Sequence, residues 1–129
     1  MPRAPFVPKE GQVDYTHIRW APVINCIVRY QNKILVVKRS ADLHFYPNTW
    51  NGISGFLDDQ RDLADKVREE LREELGLEDA VIQSITQVGL FEQEAPEHKK
   101  TWIVHPILVE ISTDQITLDW EAEEKRWVT

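Results

Sequence analysis

The chain has 129 residues, 42% of them hydrophobic and 29% charged, which suits one domain whose core needs no disulfide or metal staple. A formal net charge of −7 excludes the broad basic surface that displaces counterions from nucleic acid. A polyanionic phosphate compound would be repelled too, unless a cation stood between it and the carboxylates.

Cys26 is the one cysteine, so no intrachain disulfide can form and a reducing compartment fits best. It lies in the apolar run of residues 23–28, where a small buried hydrophobe is the expected role. No apolar run approaches the length of a membrane span and the first residues lack a signal-peptide core, so a cytoplasmic location and no membrane partner are expected.

In chain order, residues 1–19 carry Pro2, Pro5 and Pro8, then Gly11 and Asp14. They are expected to form an irregular N-terminal arm, with residues 20–129 a single domain. Residues 21–30 are rich in Val and Ile, Gln31-Asn32 reads as a turn, and residues 33–38 form a second apolar run, together predicting a hairpin. A loop with His44, Phe45, Tyr46, Pro47 and Trp50 follows, then a short strand over residues 51–57 interrupted by Gly52 and Gly55. Asp62 is placed to cap a helix over residues 63–75, which Gly76 stops. Residues 80–92 and 101–111 are rich in β-formers, with a polar loop over 93–100 between them. Residues 116–118 and 126–128 are short strand candidates. Strands, one strong helix, then more strands describe a mixed α/β domain rather than a regular doubly wound sheet.

The helix carries the chemistry. Leu63, Val67, Leu71 and Leu75 recur every four residues, with Ala64 beside them, and make one apolar stripe. Glu70, Glu73 and Glu74 are three and four residues apart and gather on a neighbouring face. Glu74 falls within the angular range of the stripe itself, where solubility does not require a carboxylate. Three such groups repel one another unless a divalent cation joins them, and an all-oxygen set suits magnesium. Arg68-Glu69-Glu70-Leu71 repeats as Arg72-Glu73-Glu74-Leu75, so a solvated, salt-bridged surface helix is the bland alternative.

The flanking residues go further. Gly55, Glu70, Leu71, Glu73, Glu74, Gly76 and Leu77 match seven of the nine defined positions of the Nudix signature, G-x5-E-x7-R-E-U-x-E-E-x-G-U with U aliphatic, over residues 55–77. The chain thus resembles the Nudix hydrolase superfamily, and the resemblance implies its fold, an α/β/α sandwich with a mixed sheet. Two positions depart from the pattern: Arg61 stands where the family has glutamate, and Glu69 where it has arginine. The charges are exchanged, so an ion pair of reversed polarity between Arg61 and Glu69 is expected to brace the loop against the helix.

The resemblance implies a pyrophosphohydrolase that cuts a diphosphate linkage in a nucleoside diphosphate-X type small molecule, using Mg2+, with Mn2+ as a substitute. Glu70, Glu73 and Glu74, with the Gly55 carbonyl, are the implied metal ligands and chemical groups. One of Glu92, Glu94 and Glu97 is a candidate general base, since some members use a glutamate outside the signature stretch (the Nudix box, residues 55–77). His98, Lys99 and Lys100 are weighed as phosphate contacts against plain solvent exposure, and Tyr46 and Trp50 as walls for the substrate. His105, mid-strand, is expected to be a hydrogen-bonded core histidine. The ending from Asp119 to Val128 resembles the segment that leads into a last helix in this family, in which homodimers are common. Rival readings are a catalytically silent module of the same fold that binds a ligand or a protein, a prenyl diphosphate isomerase, and an unrelated interaction domain.

Overall fold

The computed structural model describes residues 7–129; Pro2 and Pro5 of the expected arm lie outside the described residues. Among the described residues, eight strands and one α-helix follow in the order β1 (Trp20–Tyr30), β2 (Lys33–Arg39), β3 (Trp50–Asn51), β4 (Ile53–Phe56), α1 (Leu63–Leu75), β5 (Ile82–Gln87), β6 (Phe91–Ala95), β7 (Lys100–Ile111) and β8 (Ala122–Val128). All eight strands join one sheet, ordered β3-β2-β1-β7-β5, with β4 on β1, β6 on β7 and β8 on β2. The central pair, β1 with β7, is parallel and runs in register from Trp20 beside Thr101 to Arg29 beside Glu110. Its neighbours are antiparallel, which makes the sheet mixed.

Both central strands fork. β1 pairs with β4 over residues 23–26 and with β2 over residues 29–30. β7 pairs with β6 over residues 100–104 and with β5 beyond it. Because side chains alternate along a strand, Ile24, Cys26 and Val28 of β1 point to one face with Ile107, Val109 and Ile111 of β7. There they pack against Val67, Leu71 and Leu75 of α1 in the main core. Ala21, Trp102 and Val104 point to the other face, where a smaller core gathers Tyr15, Phe45, Tyr46 and Phe56.

Five details differ from the sequence reading. Residues 93–95, expected in a loop, belong with residues 91–92 to strand β6. Four of its five residues are exposed, so no apolar alternation marks this edge strand. The β-rich stretch of residues 80–92 is two strands, broken where Val88 N–H turns to the Pro106 carbonyl at 2.9 Å. Residues 116–118 are not a strand, because Thr117 N–H bonds the Leu75 carbonyl at 2.9 Å, satisfying one of the orphan acceptors at the end of α1. Asp62 starts the helix with its backbone, while its side chain makes no capping bond. Ala64 is exposed rather than in the stripe.

The helix end follows the pattern that a glycine permits. Gly76 has φ of 68°, its N–H bonds Arg72 O, and Leu77 N–H bonds Leu71 O at 3.2 Å, the six-to-one closure of a Schellman motif. Residues 12–18 strap across the other end of the box. Tyr15 stacks on Phe56 with ring centroids 5.6 Å apart, and its hydroxyl donates to Leu57 O at 3.1 Å. The buried Lys100 ammonium donates to the carbonyls of Tyr15, Thr16 and Ile18. No helix among the described residues is long and apolar enough to cross a membrane.

Candidate active site

The site begins where β4 passes beneath α1. A side chain on Gly55 would put its Cβ 2.9 Å from Glu70 Cδ and 3.1 Å from Oε1, so the carboxylate would have to shift. Glycine at this position is therefore what lets the Glu70 carboxylate lie against the strand. Glu70 is a hub. One oxygen each from Glu69, Glu70 and Glu73 lies within 4.8 Å of the others, and Glu74 approaches Glu70 from one turn further along.

Glu74 is buried at 8% exposure, as its place in the apolar stripe predicts. Its Oε2 is buried without a hydrogen-bond donor among the described residues. Its neighbours are themselves carboxyls, Glu70 and Glu121. Burial, then those two groups, pushes the Glu74 carboxyl up to about 12. Burial likewise raises Glu121. Both shifts have one cause: burial beside like groups disfavours a second negative charge at this spot.

Glu121 comes from the turn before β8, a region outside the box that the sequence reading passed over. Its N–H bonds Asp119 Oδ1 at 2.9 Å, and its carbonyl accepts from Ser40 N–H at 2.9 Å. Those bonds zip the turn to the end of β2 and aim the carboxyl at α1. Arg39, also missed, lies at that same end. Its guanidinium donates to Phe45 O at 3.0 and 3.1 Å and to Ser54 Oγ at 3.1 Å. Burial lowers its pKa, and the charges of Glu74 and Glu121 oppose that shift.

A third unforeseen group is Lys66. It is buried at 5% exposure, and its ammonium lies 3.3 Å from Asp58 Oδ1 and 3.3 Å from Glu70 Oε1. Burial works against its charge, but Glu70 and Asp58 outweigh it and leave the pKa raised. Asp58 is held in turn by Gln12 Nε2 at 2.7 Å, and its carbonyl accepts from Val13 N–H at 2.6 Å. The sequence carried one signal for this: Lys66, Glu70 and Glu74 stand every four residues on the helix.

The exchanged pair sits at the rim. Arg61 contacts Glu69 and lies 2.7 Å from Asp59, with Arg61 39% and Glu69 31% exposed. Glu92, Glu94 and Glu97 are exposed. Glu94 pairs with Arg19 at 3.7 Å, Glu97 lies 4.0 Å from His98, and no ion pair or hydrogen bond described joins any of the three to the box. Lys100, anchored on the arm's carbonyls, is not free to meet phosphate. Tyr46 accepts a bond from Trp102 Nε1 at 2.8 Å, and Trp50 lies at the surface with the Arg126 guanidinium 4.8 Å from its ring centroid. His105 Nδ1 bonds Val23 O at 3.1 Å. Cys26 is buried, and burial, then Glu74 and Glu70, pushes its thiol pKa up, which keeps it inert.

The donor set fits a hard divalent cation. It consists of carboxylate oxygens, one of them buried and orphaned, and Mg2+ or Mn2+ takes such ligands. A buried carboxylate without a donor is costly, and a cation would relieve it.

The NUDIX domain model matches residues 19–129. The chain belongs to that family. Its fold is shared with solved structures of low sequence identity. The MutT protein from Methanosarcina mazei Go1 superposes with a TM-score of 0.72 at 20% identity, covering 88% of this chain and 79% of that one. The NUDIX domain of Shewanella oneidensis NrtR, complexed with ADP ribose, gives 0.67 at 18% identity over 83% and 71% of the two chains. A C. elegans Ap4A hydrolase gives 0.66 at 17% identity over 84% and 79%. No curated protein matches the sequence.

Proposed function

We propose that the chain is a divalent-cation-dependent hydrolase that cuts a diphosphate linkage in a nucleoside diphosphate-X type small molecule. The observation that carries this reading is Glu74, a buried carboxyl with an orphaned oxygen, set between Glu70 and Glu121. A helix that needed charge only for solubility would not bury one there at the expense of its own core. Membership of the NUDIX family supports a hydrolase. ADP ribose and Ap4A, named with two of the similar structures, both contain phosphoanhydride bridges, which supports the substrate class.

Glu70, Glu73 and Glu74, with the Gly55 carbonyl, are the box groups that would hold Mg2+ or Mn2+, and the Glu121 carboxyl stands beside Glu74. When bound, the cation neutralises phosphate charge and acidifies a coordinated water. The chain supplies the rest. Gly55 leaves room for the Glu70 carboxylate, and Lys66 holds it at 3.3 Å. Glu121, with its raised pKa, is the better placed general base, ahead of the exposed Glu92, Glu94 and Glu97, because it meets Glu74 directly. Arg39 sets a positive charge beside the two carboxyls. Tyr46 and Trp50 stand on the loop and strand before the box, where they would wall the substrate.

The test is a panel of ADP-ribose, a dinucleoside polyphosphate and nucleoside triphosphates, with and without Mg2+, read by product mass. Cleavage that requires Mg2+ and disappears in Glu74→Gln is the expected result. Silence across the panel, with thermal stabilisation by a ligand retained, would instead assign a binding module of the same fold.

A further inference from the structure

We propose that Lys66 is a resident cation of the box, taking the place of a second divalent ion at Glu70, so that the site takes up one such ion rather than two. The inference rests on the divalent-cation reading given above. Its basis is the placement of charge along α1. Lys66, Glu70 and Glu74 lie one turn apart on the same face, and all three are largely withdrawn from water, with Lys66 and Glu74 at 5% and 8% exposure. The ammonium lies 3.3 Å from Glu70 Oε1, reaching it from one turn nearer the start of α1. Glu70 therefore meets a positive charge toward the start of the helix and a carboxyl toward its end.

The arrangement is fixed rather than incidental. Asp58 clamps the ammonium from the preceding loop at 3.3 Å, and Asp58 is itself held by the Gln12 side chain at 2.7 Å and by Val13 N–H. Gly55, having no side chain, leaves the space on β4 that the Glu70 carboxylate fills, since a Cβ there would come within 2.9 Å of Glu70 Cδ. A lysine that had merely folded over a surface carboxylate would be exposed, and its partner would have no second anchor. Beside a buried ammonium, a second doubly charged ion on Glu70 meets direct repulsion within a few ångströms, where the interior screens it weakly. At Glu74 and Glu121 the balance is the reverse. Two carboxyls share a site with an orphaned oxygen, and the nearby cation, Arg39, spends its donors on Phe45 O and Ser54 Oγ. One ion at that end, with the lysine at the other, balances the row.

The test counts bound Mn2+ by the loss of the free-ion signal in electron paramagnetic resonance, using the full chain. Removing Lys66 alone would strand Asp58, so the main variant is D58N/K66M, which deletes the buried pair and leaves the net charge unchanged. The wild-type chain is expected to bind one Mn2+ and the double variant two, with the first ion held about tenfold more tightly or better. Lys66→Arg, which keeps the charge, should still bind one. Two ions on the wild type, one ion on the double variant at unchanged affinity, or two on Lys66→Arg would each overturn the proposal while leaving a divalent-cation enzyme intact. Failure of the wild type to bind any Mn2+ at millimolar concentration would remove the functional reading itself, and this inference with it.

Discussion

The box holds two cation–carboxylate clusters built from the same chemistry in opposite surroundings. At its rim, Arg61 joins Glu69 and Asp59 with side chains 39%, 31% and 25% exposed. One turn inside, Lys66 joins Asp58 and Glu70 with side chains 7%, 11% and 13% exposed. The rim cluster is the one that catches the eye in the sequence, because it departs from the family signature. The inner one is hidden in the variable stretch between Gly55 and Glu70, yet water screens it least and it touches the carboxylate hub. A departure from a motif marks where a chain differs; burial decides how much the difference matters.

The largest test of this contrast is stability. Lys66→Met leaves Asp58 and Glu70 buried as two uncompensated negative charges, and should cost about 3–5 kcal/mol in urea unfolding. Removing both members, as in D58N/K66M, should restore most of that loss. Equal stability of Lys66→Met and wild type would mean the inner cluster is as solvent-screened as the outer one.

Glu74→Gln comes next, with opposite effects on activity and fold. Mg2+-dependent turnover should fall on the order of a hundredfold or more, a loss of several kcal/mol of transition-state stabilisation. The metal-free fold should behave in the reverse sense at alkaline pH. In the fold Glu74 is held up to about 12, against an ordinary 4.5, so the folded chain keeps a proton that the unfolded chain releases. That contribution is complete below the unfolded value and is lost progressively as pH rises through the folded one. Metal-free wild type should therefore melt lower at about pH 8.5 than at about pH 6, and the glutamine variant should show a flatter profile. Saturating Mg2+ should flatten the wild-type profile too, since the cation replaces the proton. A Tm that rises between those two pH values in the metal-free protein would contradict the buried, shared proton.

At the rim the expected effect is small. Restoring the family polarity with Arg61→Glu and Glu69→Arg together should change stability by about 0.5 kcal/mol or less, because pairs this exposed gain little over their hydrated forms. Either single change should cost little more, and a double-mutant cycle in thermal unfolding would measure the coupling directly. A coupling above about 2 kcal/mol would place the rim pair in the same class as the buried one and erase the contrast.

Why one cluster was legible and the other was not follows from what periodicity records. The four-residue recurrence of Leu63, Val67, Leu71 and Leu75 reports which face is apolar, and it marked the helix, its end at Gly76 and the anomalous burial of Glu74. It has no way to register that a lysine beside that face turns inward, because that depends on Asp58 arriving from the loop and Gln12 from the arm, 46 residues away from Asp58 in sequence. Glu121 was hidden for a related reason. It acts from a turn that takes its position from Ser40 and Asp119, and a turn has no pattern that says where its side chains point. β6 was not separated from the stretch before it and the loop after it, because an edge strand with polar residues on both faces lacks the alternation that identifies strands. Long-range closure, rather than local preference, supplied each of these.

The same argument bears on the loop glutamates, where the smallest effect is expected. Glu92, Glu94 and Glu97 cluster in sequence in a region where a general base was sought, and each is exposed, Glu94 being drawn toward Arg19. Glu121 lies far from the signature in sequence but meets Glu74 in the fold. Replacing all three loop glutamates by glutamine should leave kcat and KM within about threefold, the scale of altered surface charge near a screened site. Glu121→Gln alone should lower kcat by a hundredfold or so, as loss of a positioned proton acceptor does. If the triple variant lost more than the single one, the proton acceptor would lie on the β6 hairpin, and the carboxyl beside Glu74 would be left with the cation alone.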